Sequence, residues 1–213
     1  MHKLDRNKIT EPKELKNARE NHVVDWEHFN GHQKKKVRDA LLTLQSNRCA
    51  YCEQRLHNIS TPWENKWDGH IEHFRRKDPN FNPELTFVWQ NLFYSCLTSA
   101  TCGIRKDRFI KNKLEYDFMV DPCKDNPEDY FIFDHSGRIS ARSKLSKYKM
   151  KKALFTIEAF NLNAPQLVNM RKNILSKHAW IAQYPQHIGE YLLHIKDEEF
   201  ITAIYHYFGR RVN

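Results

Sequence analysis

Four of the chain's five cysteines fall in two short-spaced pairs, Cys49-x2-Cys52 and Cys96-x5-Cys102, and this pattern constrains the fold most. Zinc prefers four soft ligands in a tetrahedron, and two tight turns that each offer two thiolates supply them. The second spacing is wider than the usual two to four residues. A thioredoxin-like redox pair would open a helix within a strand–helix–strand setting, and no such alternation precedes Cys49. Ordinary buried cysteines are the other alternative. The pairing favours Cys49, Cys52, Cys96 and Cys102 as a structural zinc site, with Cys123 a bystander. A zinc held by four cysteines has a closed coordination shell, so any chemistry must come from other residues that it braces.

The 213 residues are 40% hydrophobic and 13% aromatic, enough to bury the core of one good-sized domain. Lys and Arg number 35 against 26 Asp and Glu, a net charge of +9, which suits a polyanionic partner. No apolar run reaches the roughly 20 residues that span a bilayer. The opening MHKLDRNKITEPKEL lacks the apolar stretch of a secretory signal, so the expected location is the cytoplasm, where cysteines stay reduced.

Three parts are expected along the chain: an N-terminal helical segment (1–46), a zinc-braced core (47–142) and a C-terminal helical region (143–213). Gln33 to Ser46 has helical periodicity, with Val37, Ala40, Leu41 and Leu44 on one face and the lysines and Arg38 opposite. Gly69 to Phe74 is expected as a short strand and Trp89 to Cys96 as a short helix. Tyr130 to Ile139 is expected as a hairpin around a Ser-Gly turn. From Leu145 onward the pattern is helical. Met150, Leu154, Ile157 and Phe160 form one face, and Asn163 is expected to cap a second helix that has Pro165 in its first turn and ends at Pro185. A last helix is expected from Asp197 to Phe208. Trp63 and Trp67 lie in an insert and are read as loop packing.

Between the cysteine pairs stands His70-Ile71-Glu72-His73-Phe74-Arg75-Arg76-Lys77. Phosphodiester cleavage needs a base for water, a cation for the departing oxygen and positive groups on the backbone. An imidazole suits the first task, a carboxylate holding a hard divalent ion the second, and the Arg-Arg-Lys run the third.

The order of Cys49-x2-Cys52, Ile71-Glu72-His73-Phe74, Trp89-Gln90-Asn91-Leu92, and Cys96 and Cys102 with Lys106 and Phe109 resembles the HNH endonucleases. More narrowly, Arg48 to Glu53, Ile71 to Arg75 and Asn91 to Cys96 are similar to the PtuB-like HNH proteins of Septu and retron anti-phage systems. The resemblance covers residues 33 to about 175. It implies an α+β fold with a ββα-metal core braced by a four-Cys zinc site, flanked by N-terminal helices and a C-terminal bundle. It also implies His73 as general base, Glu72 as ligand of a catalytic Mg2+ or Mn2+ ion and Asn91 as the residue that fastens the loop and orients the base. Arg75, Arg76, Lys77, Arg105, Lys106 and Arg108 would grip the backbone of DNA or RNA, transfer RNA included. The implied partners are a PtuA-like ATPase of the ABC/SMC type and, in retrons, a reverse transcriptase with its DNA. The sequence departs from the family at Gly103, where the second metal ligand (Asn or His) usually stands. His70 or Asp107 is the candidate replacement, or water fills the shell, as magnesium tolerates. The alternative is a catalytically degenerate nucleic-acid-binding or assembly module.

Overall fold

The computed structural model describes residues 1–23, 25–61 and 66–212. Trp63 lies outside the described residues. Trp67 is half-buried against the core, which fits loop packing. None of the described helices is long and apolar enough to cross a membrane.

Helix α1 (Lys13–Glu20) packs against α2 (Gly31–Leu44). A capping box opens α2. The Asn30 side chain accepts from Gln33 N–H, and the Gln33 side chain returns the bond to Asn30 N–H. Val37, Leu41 and Leu42 are its buried face. Beyond it, strand β1 (Gly69–His73) pairs antiparallel with β2 (Leu92–Cys96), with Glu72 opposite Phe93 and His73 opposite Leu92. Helix α3 (Cys102–Phe109) packs on β2, which completes a β–β–α unit.

The expected helix over Trp89–Cys96 is corrected. Only Trp89–Asn91 makes a 3-10 turn, and the next five residues are a fully buried strand. A short apolar run of this kind suits either element, and pairing with β1 decides it.

The hairpin forms as β3 (Phe131–Phe133) and β4 (Ile139–Ala141). Helices α4 (Lys147–Ala159), α5 (Pro165–His178), α6 (Ile188–His194) and α7 (Ile201–Tyr207) follow. The structure alters the expected C-terminal pattern in four places. The residue that precedes α5 is Ala164; Asn163 instead bonds both the N–H and the carbonyl of Ile139, tying β4 to the helical region. Helix α5 gives way at Ala179 to a 3-10 turn, before Pro185 is reached. The last helix starts at Ile201 rather than Asp197, directly after Phe200, whose φ of +51° is left-handed, and a separate helix α6 lies wholly before the expected range. On α4 the buried stripe is Ala153, Thr156 and Ala159, while Leu154 is 54% exposed.

The helical region clamps the first cysteine turn. Tyr51, fully buried between Cys49 and Cys52, stacks on Phe160 with ring centres 4.1 Å apart. Phe200 N–H donates to the Glu53 carbonyl, and Thr202 donates from its N–H and its hydroxyl to the Glu53 carboxylate.

Candidate active site and metal centre

The four cysteines of the two pairs converge. Their Sγ atoms all lie within 4.8 Å of one another, and every one is buried. Tetrahedral zinc with bonds of about 2.3 Å needs sulfur–sulfur spacings of about 3.8 Å, so the site fits a structural zinc with little adjustment. Cys123 is absent from the cluster and accepts a bond from Arg6 at 3.2 Å instead.

Local folding explains the convergence. The Gln45 side chain at the end of α2 donates to the Arg48 and Tyr94 carbonyls and accepts from Tyr94 N–H, which seats the first turn beside β2. Cys102 begins α3 with a φ of +55°; its N–H donates to the Phe160 carbonyl, and that of Gly103 donates to Ser95 Oγ. The cysteine cluster therefore brings the end of β2 and the start of α3 together.

On the other side of α3 a cleft of about 580 Å3 opens, lined in part by His70, Glu72, His73, Arg76, Lys77 and Asp107. The His73 ring is 7% exposed and meets Trp26 edge-on at 4.8 Å. Its Nε2 lies 3.0 Å from the Thr86 carbonyl. A carbonyl only accepts, so Nε2 carries the proton and Nδ1 keeps its lone pair. Burial pushes the ring's pKa down to about 4, against the smaller raising effect of the Thr86 carbonyl and Glu72, so the ring is neutral at pH 7.

Glu72 is 3% exposed and lies between the His70 ring and the Lys106 ammonium. Its Oε2 accepts from His70 Nε2 at 3.2 Å, and its Oε1 is in close contact with Lys106 Nζ. Burial raises its pKa, but the Lys106 ammonium and then His70 outweigh burial and hold the carboxyl below its ordinary value. Lys106 is fully buried. Its ammonium reaches the carbonyls of His73 at 2.6 Å and Phe74 at 2.9 Å, and Asp107 Oδ1 at 3.0 Å. Lys106 is thus enclosed by protein oxygens, and a role in gripping phosphate does not match this position.

Asn91 is buried at the end of the turn before β2. Its Oδ1 accepts from Arg75 N–H at 2.8 Å, and its Nδ2 donates to the carbonyls of Arg75 and Leu85. These bonds fix the loop that leaves His73. Of the remaining basic residues, Arg76 and Lys77 line the cleft. Arg75 pairs with Asp117 at 2.8 Å, Arg105 lies over the Phe109 ring, and Arg108 reaches the Ser99 carbonyl; none of the three lines the cleft.

Gly103 sits under the Glu72 carboxylate. A Cβ there would fall 2.4 Å from Oε2, so a ligand side chain at 103 and this Glu72 rotamer exclude each other. His70 and Glu72, two apart on the strand and on one face, are the donor pair that the cleft wall offers a divalent ion. A hard ion that takes its remaining ligands from water and phosphate oxygens suits such a sparse set. Asp107 also lines the cleft but does not join His70 and Glu72 in a three-donor cluster among the described residues.

No family model matches the chain. It is 28% identical over 159 residues to a protein of Vibrio cholerae serotype O1 biovar El Tor described as a candidate HNH endonuclease of retron Vc95. That match covers 72% of this chain and 70% of the relative. It is 30% identical over 127 residues to the Septu protein PtuB of Bacillus thuringiensis, covering 60% of this chain and 41% of that protein. A third match, 28% over 149 residues, covers 62% of this chain but 20% of the Septu protein PtuA of Bacillus mycoides. The chain thus spans well under two thirds of both Septu relatives, and the HNH and PtuB names of the first two relatives agree with the resemblance read from the motifs.

Proposed function

We propose, from kinship with HNH endonucleases of the PtuB and retron defence type, that this chain hydrolyses nucleic-acid phosphodiester bonds in anti-phage defence. The observation that carries the reading is the His73 ring. Its protonated nitrogen is occupied by the Thr86 carbonyl, and its basic nitrogen is left for a water in the cleft beside the His70–Glu72 pair. His73 takes the proton from the attacking water. Asn91 holds the loop that keeps His73 in place. Arg76 and Lys77 bind phosphate oxygens, and the Lys106 ammonium fixes one oxygen of Glu72 so that the other faces His70. Glu72 and His70 would hold Mg2+ or Mn2+, which supplies charge stabilisation at the scissile phosphate and the leaving oxygen. On this reading β1, β2 and α3 are the ββα-metal core, and the four cysteines hold zinc.

The partner is an ATPase of the PtuA type, supported by the match between this chain and a segment of a longer PtuA protein. DNA and transfer RNA are both substrates this site would accept, since phosphate contacts carry no base information. A second reading, a nucleic-acid-binding or assembly module without catalysis, draws on Gly103 and on the Lys106 ammonium already paired with Glu72. The test is cleavage of plasmid, single-stranded DNA and total transfer RNA with Mg2+ or Mn2+ and the ATPase present. The nuclease reading expects one of these to be cut. A folded, zinc-loaded complex that cuts none contradicts it and leaves the binding module.

A further inference from the structure

Beside the His73 cleft lies a second depression of about 270 Å3, and the two share Trp26, His70 and Ile71 as a common wall. The outer wall of the second is the start of α2, which contributes Lys34, Lys35 and Arg38. Among the described residues, the Lys and Arg side chains lining it are these three and no carboxylate lines it; the His73 cleft, by contrast, has Asp25, Glu72, Asp78 and Asp107.

We propose that the nucleic acid runs out of the His73 cleft, across β1 at His70, and along the α2 face that bears Lys34, Lys35 and Arg38. The inference rests on the nuclease reading and adds to it the direction in which the substrate leaves the site. Positions 34, 35 and 38 share a helix face, and 34 to 38 is one turn, about 6 Å along the axis. Roughly two phosphates of a strand rising about 3.4 Å per nucleotide fit that length. The side chains are directed. Lys34 Nζ lies 5.7 Å from the centre of the Trp26 ring, and Asp39 draws Lys35 (2.6 Å) and Arg38 (3.2 Å) to one side. Lys36, between them in sequence, is exposed and lines neither depression.

Lys36 puts half of the control on the same helix as the track. Lys34→Glu/Lys35→Glu is compared with Lys16→Glu/Lys36→Glu, a change of equal charge at exposed positions away from the track. Binding is followed by anisotropy of a labelled single strand of about 20 nucleotides, as DNA and as RNA, over a range of salt. The track predicts about a tenfold or larger loss of affinity and a flatter salt dependence for the first pair, with the control pair close to wild type. Equal losses in the two pairs, or none in the first, overturn the track while leaving the nuclease reading intact. A wild-type chain that binds neither strand overturns both.

Discussion

Gly103 and Glu72 compete for one space: a Cβ on the glycine would fall 2.4 Å from Oε2 and 2.5 Å from Cδ of the carboxylate. The departure at 103 from the HNH pattern that the chain resembles is therefore coupled to the position of Glu72. Gly103→Ala should force Glu72 off the Lys106 ammonium and cost about 1–3 kcal/mol, as overpacking does in a dense core. Gly103→Asn, which brings back the family's ligand type, should lower cleavage rather than raise it. Thermal unfolding and cleavage rates of the two variants check this, and a Gly103→Asn protein faster than wild type would show that the space is available.

Lys106→Met removes the ammonium beside Glu72 Oε1 and leaves a buried carboxylate half-paired. Loss of one partner of a buried pair costs about 3–5 kcal/mol. Lys106→Met/Glu72→Gln should recover part of this, since the stranded charge is gone. Urea denaturation of both variants reads the difference. Equal destabilisation would mean that the pair is not what holds the end of β1 to α3.

Removal of zinc should unfold the core, because the four thiolates join the turn after α2, the end of β2 and the start of α3. Chelation followed by circular dichroism and protease digestion is the check. A chain that keeps its protease resistance after complete zinc loss contradicts the four-cysteine site.

Asn91→Ala deletes three hydrogen bonds to the loop after His73 and leaves buried backbone groups unpaired, about 1–3 kcal/mol for each group that finds no water. Cleavage should fall severalfold or more at unchanged zinc content. A variant with normal cleavage would free Asn91 from the positioning role.

His178 gives a pH signature away from the metal sites. Burial, with Lys177 beside it, holds its ring below the ordinary 6.5. The unfolded chain then binds the proton more readily, so the contribution of His178 is present above about pH 6.5 and lost as pH falls below it. His178→Gln should flatten stability over that range, as read by denaturation between pH 7 and about 5.

The cysteine pairs made the four-thiol cluster legible in sequence because ligand type and spacing carry their own geometry. The His-Ile-Glu-His strand was legible for the same reason. What escaped depends on partners distant in the chain. The run Trp-Gln-Asn-Leu-Phe-Tyr-Ser-Cys suits a buried helix or a buried strand, and the pairing of Leu92–Cys96 with β1 settles it. Leu154 has the spacing of a core residue, yet α4 packs closely through Ala153, Thr156 and Ala159 and turns the leucine out. Lys106 carries the same charge as the surface lysines, and only the oxygens of His73, Phe74, Glu72 and Asp107 around it mark it as internal. The lysines of α2 have the pattern of a solvated face. Their place beside His70 depends on the packing of α2 against β1.

The most direct measurement is single-turnover cleavage by wild type and His73→Ala, both zinc-loaded and with the ATPase and Mg2+ or Mn2+ present. The His73 ring lines the cleft with Nε2 at the Thr86 carbonyl and is no part of the four-cysteine cluster. The variant should therefore keep its zinc and its partner and lose cleavage by at least about a hundredfold, the usual scale for a general base. An unchanged rate in a folded, zinc-loaded variant would remove His73 from the chemistry and the account with it.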